Sequence, residues 1–323
     1  MNWADWKKRL GWGVPTRAAR FVLPTLALEV EPGFVAGARL DASGRGVQRA
    51  GFRALAPGAL MPSLHKPNVT DGAAIRAAIA EVANLVGNPG GTVGLLIPDV
   101  AARVALLQFE TLPNDRREAE SLVRWRLREF LPFAPDEARL SYQVLVNEPG
   151  AVEILGVAVR ASVLAEYEAA LGGINGGPGL VLPVSVALLP LIPEDDFGQL
   201  LLHLCPGALT AVVLRLNRVL YWRTRPREDE AGESFQEVAR EAGRVLATCQ
   251  DHLNLRVANI WFCARPPATA EMKNALAKTL GRELRDLPRG RAEASLLPAG
   301  ERDAFERFGT PFAGLVANVN ESR

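Results

Sequence analysis

The stretch that decides the fold is Leu112 to Leu145, LPNDRREAESLVRWRLREFLPFAPDEARLSYQVL. Apolar residues recur at helical spacing after Asp115 or Asn114, either of which is a typical N-cap, and Pro132 ends the pattern. From Leu140 onward the pattern changes to that of a strand. The stretch predicts a charged amphipathic helix, a Phe/Pro corner and a strand, and it contains no catalytic motif.

Composition places the chain among ordinary globular proteins. Its 323 residues are 48% hydrophobic and 23% charged, and the formal net charge is +1. A balanced charge predicts no nucleic-acid partner, because such partners require a basic surface. No apolar run approaches the about 20 residues that span a bilayer, and no signal segment opens the chain, so we expect a cytoplasmic protein. Cys205, Cys249 and Cys263 lack metal-site spacing, which predicts buried thiols and no metal.

The segment 1–20 combines tryptophan with basic residues. Trp3 and Trp6 lie on one stripe of a short predicted helix, with Lys7 and Lys8 beside it. This composition is typical of a helix in a membrane interface. The alternative is an N-terminal helix packed on its own domain, since so few anchors bind a membrane weakly.

The rest of the chain reads as two similar halves. Residues 21–103 open with a strand–turn–strand pattern and continue into a helix and a strand, and residues 181–302 repeat this order. The region 104–180 is inserted between them, and 303–323 contains a terminal helix expected at Phe305 to Val319. The pattern predicts a duplicated α/β architecture.

These residues resemble the PilM family, the actin-like proteins of type IV pilus assembly that are related to the division protein FtsA. The match is carried by Leu112-Pro113, Glu120 and Trp125 on the helix, Phe130-Leu131-Pro132-Phe133, Tyr142-Gln143-Val144-Leu145 and the terminal Thr310 to Leu315. The resemblance implies an actin-like (ribonuclease H-like) duplicated fold, with an FtsA/PilM-type subdomain inserted at 104–180 for protein contacts.

The resemblance also implies where a nucleotide would bind, in two strand–turn–strand loops. In the first loop Glu29 keeps a carboxylate, but Glu31 replaces a glycine beside Gly33, and Ala36 replaces a lysine. Pro32 removes a backbone N–H donor, and a glutamate carboxylate repels polyphosphate. The second loop begins with His203 in place of an aspartate and keeps Gly207, and the adenosine loop, Cys263 to Pro267, lacks its glycines. We therefore expect a non-catalytic protein for which ATP and magnesium binding is doubtful.

The family implies a partner as well. We expect a non-catalytic cytoplasmic scaffold, peripheral to the inner membrane, that binds the cytoplasmic tail of a PilN-like membrane protein and other pilus platform proteins. Trp125, Phe130, Pro132 and Phe133 are the candidate contacts, against the alternative that they close the core of their subdomain. Two other functions stay open: an actin-fold ATPase with divergent loops, and a GspL-like platform protein of type II secretion.

Overall fold

The computed structural model describes residues 24–41, 46–88, 90–227, 234–289 and 297–320. Trp3, Trp6, Lys7 and Lys8 of the predicted membrane segment lie outside these residues. Within the described ranges no helix is both long and apolar enough to cross a membrane.

Two five-stranded sheets with the same strand pattern form the two halves of the molecule. The first has the order β3 (Val47–Ala54), β2 (Phe34–Leu40), β1 (Leu26–Glu31), β4 (Thr92–Ile97) and β8 (Gly177–Pro183). The second has the order β11 (Arg218–Pro226), β10 (Ala208–Arg215), β9 (Gly198–Cys205), β12 (Val257–Ala264) and β13 (Leu284–Asp286). In each sheet the first three strands in sequence are antiparallel and the two later strands pair in parallel, which confirms the predicted duplication.

Helices cover the sheets. They are α1 (Gly72–Val86), α2 (Arg116–Leu127), α3 (Ala161–Ala169), α4 (Val184–Leu188), α5 (Ser234–Leu253), α6 (Ala270–Leu280), α7 (Ala299–Phe308) and α8 (Thr310–Asn320). The side chain of Asp71 accepts the backbone N–H of Ala74, and that of Asp115 accepts those of Arg117 and Glu118. These N-caps fix the starts of α1 and α2 where the sequence predicts them.

A three-stranded antiparallel sheet forms the inserted subdomain, with the order β5 (Arg103–Phe109), β7 (Ala151–Arg160) and β6 (Ala138–Glu148). Helix α2 packs on it through Val123 and Leu127. The prediction of 104–180 for this subdomain is too long, because α3 buries Val163 and Tyr167 in the core of the first half and β8 joins the first sheet.

The C-terminal region is two helices, so the prediction of a single helix at Phe305 to Val319 is wrong. Pro311 explains the break, because a proline ring has no N–H to donate to the carbonyl of Arg307 and its ring would clash there. The chain restarts as α8 and packs on α4, and Glu301 of α7 pairs with Arg49 of β3 at 2.6 Å between Oε1 and Nε. Both helices therefore return to the first half.

The largest core lies between the two sheets. Ala27 and Ala36 of the first sheet, Leu201 and Val212 of the second, and Phe312 of α8 belong to one buried cluster. The two halves are thus joined through a shared hydrophobic seam. A layer of polar side chains interrupts this seam.

Candidate functional site

The polar layer lies where the carboxyl ends of parallel strands from both halves meet. Glu29 and Glu31 are on β1, Asp99 follows β4, His203 is near the end of β9, and Arg265 follows β12. In open α/β sheets, ligands bind outside the carboxyl ends of the strands. This seam is the position at which the fold is able to hold a ligand.

The first-half loop is a tight turn, as predicted. Pro32 and Gly33 connect β1 to β2, and Gly33 has a φ of 91°, which a residue with a Cβ rarely adopts. Ala36 of β2 is the register partner of Glu29 and is buried. The predicted loop residues therefore do come together, but their side chains face a buried layer.

A buried ion pair links β1 to the residue that follows β12. Arg265 donates from Nε to Oε1 of Glu29 at 2.9 Å and from its second terminal nitrogen to Oε2 of Glu29. Arg265 is 3% exposed and Glu29 is fully buried. Burial raises the pKa of Glu29, although the Arg265 charge and hydrogen bonds act in the opposite direction. Both carboxylate oxygens of Glu29 are thus hydrogen-bonded to Arg265 within the protein.

Glu31 has no such partner. Among the described residues neither of its carboxyl oxygens has a hydrogen-bond partner, and the side chain is fully buried. Burial raises the pKa of Glu31 well above its usual range, and the neighbouring Glu29 and Asp99 charges raise it further. A buried carboxyl in this setting is held in its neutral form.

A hydrogen-bond network centred on Asp99 joins side chains of both halves. The hydroxyls of Ser185 and Thr210 donate to Oδ2 of Asp99, the latter at 2.7 Å, and the backbone N–H of Ser185 donates to Oδ1 at 2.9 Å. Nδ1 of His203 lies 2.9 Å from Oδ2. Burial by itself raises the pKa of Asp99, but His203 and the bonds from Ser185 bring it below its usual value. Because a carboxylate only accepts, Nδ1 of His203 is the donor.

Three buried residues at this network have side chains of the types that bind metal ions. Ligand atoms of Asp99, His203 and Cys205 lie within 4.8 Å of one another, and all three residues are buried. The oxygens of Asp99 are already saturated by donors from Ser185, Thr210 and His203. The arrangement therefore fits a structural hydrogen-bond network better than a metal site.

The cysteines offer no nucleophile in this layer. Cys205, Cys249 and Cys263 are buried, as the sequence predicts. Burial raises the pKa of Cys263 to about 12. A thiol with so high a pKa is protonated at neutral pH and inert.

A nucleotide with magnesium does not fit these side chains. Magnesium requires carboxylate oxygens that are free to coordinate it, whereas those of Glu29 are bound by Arg265. A polyphosphate requires N–H donors and positive charge, whereas Pro32 offers no N–H and Glu31 places a carboxyl at the turn. We therefore derive no catalytic step from this layer.

Sequence reasoning missed several members of the layer. The sequence patterns identify neither Asp99 nor Ser185, and they include Arg265 only as part of an altered loop. Each residue follows the carboxyl end of a strand, β4, β8 and β12 respectively, and that shared position is the signal which identifies them. His203, in contrast, was singled out and lies in the layer.

The candidate partner contacts lie elsewhere, on the inserted subdomain. Trp125 of α2 is 49% exposed and Phe130, just beyond α2, is 41% exposed. Pro132 is exposed, whereas Phe133 is half-buried and packs on the subdomain core. The guanidinium of Arg128 stacks 4.6 Å from the centroid of the Trp125 ring. Trp125 and Phe130 are thus two partly exposed aromatic side chains of the inserted subdomain.

Comparison with solved structures gives the fold a counterpart. A chain of a PilM–PilN type IV pilus biogenesis complex is similar over 93% of this chain and 98% of its own length, with a TM-score of 0.72 and 20% identity. The cytoplasmic domain of EpsL, an inner-membrane component of the Vibrio cholerae type II secretion system, is similar over 81% of this chain and 88% of its own, at 14% identity and a TM-score of 0.45. The ethanolamine utilization protein EutJ of Carboxydothermus hydrogenoformans is similar over 98% of this chain and 99% of its own, at 11% identity and a TM-score of 0.44.

No protein-family model matches the sequence, and no curated protein matches it either. The structural likeness to the pilus complex extends over nearly the whole chain and agrees with the fold predicted from the sequence. The chain has an actin-like duplicated fold with an inserted three-stranded subdomain.

Proposed function

We propose that this protein is a non-catalytic scaffold of type IV pilus assembly, which acts on the cytoplasmic face of the inner membrane. Its partner in this proposal is the cytoplasmic tail of a PilN-like membrane protein. Contacts with further platform proteins, and with the membrane surface through the segment 1–20, belong to the same proposal. The fold it shares with the matched chain of a PilM–PilN complex supports this choice of partner.

The observation that carries the proposal is the exposure of two aromatic side chains of the inserted subdomain, Trp125 and Phe130. The opposite face of α2 is not accessible to a partner, because Ala119, Val123 and Leu127 are buried against the three-stranded sheet. Large aromatic side chains that remain open on a rigid helix are typical anchors for a peptide partner. A short extended tail needs few such anchors when the surface is preformed.

The polar layer supports the non-catalytic part of the proposal. An enzyme of phosphoryl transfer needs a site that holds metal and phosphate, and Glu29, Glu31 and Arg265 instead interact with or lie beside one another in a buried layer. We therefore assign the function of the protein to binding at its surface.

Binding of a synthetic tail peptide tests the proposal. The peptide is taken from the cytoplasmic end of a single-span membrane protein encoded beside this chain, and its binding is followed by fluorescence anisotropy. We expect saturable binding that Trp125→Ala or Phe130→Ala weakens by about tenfold, or about 1.4 kcal/mol. Phe197→Ala is the matched control, because Phe197 is 51% exposed but precedes β9 in the other half.

The same variants separate binding from folding. Since Trp125 and Phe130 are exposed, their truncation changes the free energy of unfolding by less than about 1 kcal/mol. Absence of binding by the wild-type protein at high micromolar peptide contradicts the proposed partner. Equal loss of binding in Phe197→Ala contradicts the proposed surface.

A further inference from the structure

We propose that Arg265 takes the place of a bound ligand in the seam and fastens the two halves of the molecule together without a nucleotide. The ion pair with Glu29 joins residues 236 positions apart in the sequence and links the end of β12 in the second sheet to β1 in the first. The side chains of this layer do not fit a nucleotide, and the inference rests on that mismatch.

The guanidinium is held by groups of the first half, whereas the backbone of Arg265 belongs to the second half. Its edge donates to Glu29, and its first terminal nitrogen donates to the backbone carbonyl of Arg307 at 3.3 Å. The rings of Phe34 and Phe308 lie 5.6 and 5.4 Å from its central carbon. The backbone N–H of Arg265 donates to the carbonyl of Leu204 at 2.7 Å, which ties the residue to β9. An arginine with a bidentate carboxylate partner and two neighbouring aromatic rings is a fixed part of the structure.

The sequence contributes to this cradle at Pro311. Because proline has no N–H, the carbonyl of Arg307 four residues earlier receives no hydrogen bond from it along the helix. That carbonyl accepts from Arg265 instead. The break between α7 and α8 thus leaves a carbonyl that can accept from Arg265. The C-terminal helices are therefore part of the connection between the two halves.

Entry of a nucleotide would dismantle the arrangement. Magnesium phosphate at the end of β1 requires Arg265 to leave Glu29, and the carboxylate of Glu29 would then face the phosphates without its guanidinium partner. Arg265 itself has no further carboxylate partner among the described residues. The closed arrangement is therefore the permanent state of this protein, and its two halves behave as one unit.

One consequence rests on the proposed function. If the seam is closed by Arg265, the tail-binding surface on the inserted subdomain is always presented, and its affinity for the tail peptide is independent of ATP. The fastening itself does not depend on any partner and is tested on the free protein.

The test compares Arg265→Met, which keeps an unbranched apolar side chain and removes the charge, with Arg53→Met. Arg53 pairs with Glu81 at 2.7 Å between Nε and Oε2, but both side chains are exposed. Hydrogen exchange is measured on peptides of β1 and β9, and melting temperature is measured with and without magnesium ATP. We expect Arg265→Met to lower Tm by about 5–10 °C and to speed exchange in both strands, whereas Arg53→Met changes neither.

Arg265→Lys keeps the proposal testable if the methionine variant does not fold. A lysine retains the charge but loses the bidentate geometry and the stacking, so we expect an intermediate Tm and faster exchange on both sides of the seam. Wild-type Tm is expected to be unchanged by magnesium ATP. A rise of several degrees with magnesium ATP, or unchanged exchange in β1 and β9 of both Arg265 variants, overturns the proposal. If these expected results are obtained but the wild-type protein does not bind the tail peptide, only the proposed function is overturned.

Discussion

Nδ1 of His203 lies 2.9 Å from Oδ2 of Asp99, although the two residues are 104 positions apart. His203 belongs to β9 of the second sheet, and Asp99 follows β4 of the first. Their hydrogen bond, together with that from Thr210, is therefore a second polar connection between the halves, beside the Glu29–Arg265 pair.

Asp99→Asn is expected to destabilise the protein by about 3 kcal/mol at pH 7, because it removes the charge that His203, Ser185 and Thr210 surround. The pKa of Asp99 is below its ordinary value of 3.8 in the folded state. Its contribution is thus present above pH 3.8 and is lost as the pH falls through the lower, folded-state pKa. Urea unfolding at several pH values checks this, with the exposed Asp136→Asn as the control. Equal stability of wild type and Asp99→Asn at pH 7 contradicts the role of the network.

Glu31→Gln is expected to stabilise the protein at pH 7. The folded-state pKa of Glu31 lies well above the ordinary 4.5, so the contribution of its protonated form is present below pH 4.5 and is lost as the pH rises toward the folded-state pKa. A glutamine has no proton to lose. We expect a gain of at least about 1 kcal/mol at pH 7 and almost none at pH 4, measured by urea unfolding.

The control for this prediction is Glu110→Gln, because Glu110 is exposed. A loss of stability in Glu31→Gln at pH 7 would mean that the ionised carboxylate is the form the fold requires. The buried layer would then contain a cation or donor outside the described residues.

Gly314→Ala is expected to cost about 1–3 kcal/mol, because a Cβ at this position of α8 would overlap the carbonyl oxygen of Ala187 in α4. Gly243→Ala in α5 is the matched control. A Cβ there meets nothing within 4 Å, so alanine stabilises the helix by about 0.5–1 kcal/mol. Opposite signs in thermal or urea unfolding of the two variants support the close packing of α8, and equal signs refute it.

Glu166→Ala is expected to loosen the loop before α1. Its Oε2 accepts the backbone N–H groups of Asn68 at 2.7 Å and Val69 at 2.8 Å, and the neighbouring Tyr167 hydroxyl donates to Oδ1 of Asn68 at 3.1 Å. Two buried donors lose their acceptor in the variant, at a cost of about 1–3 kcal/mol.

Hydrogen exchange of residues 63–69 is the measurement for this variant, with Glu168→Ala as the control on the same helix. We expect faster exchange confined to the loop and to the adjoining start of α1. Exchange that remains slow in 63–69 would show that Asn68, through its own bonds to the backbone at Ser63 and Lys66, holds the loop without Glu166.

The local features of this protein could be predicted from the sequence. Asp71 and Asp115 are N-caps, Pro32 and Gly33 form a turn, and the segment from Leu112 to Leu145 forms helix, corner and strand, as expected. Each depends on a few consecutive residues and on the φ and ψ angles that they allow. The repeated order of these elements was enough to indicate the duplicated fold.

Boundaries that depend on packing were less well predicted. The inserted subdomain ends near Arg160 because the apolar face of α3, with Tyr167, is buried by the first half, and nothing within α3 itself specifies that neighbour. The division between α7 and α8, in contrast, has a local cause in Pro311 that sequence reasoning overlooked.

The candidate ligand site divides in the same way. The sequence by itself determined that the phosphate loops were altered, because Glu31, Pro32 and His203 occupy positions at which backbone donors or a metal ligand are expected. Only the tertiary structure decided that Glu29 pairs with Arg265, because the two residues lie on different sheets, 236 positions apart. A buried ion pair is set by the distance and solvent exclusion of two side chains in space, and no local pattern encodes either.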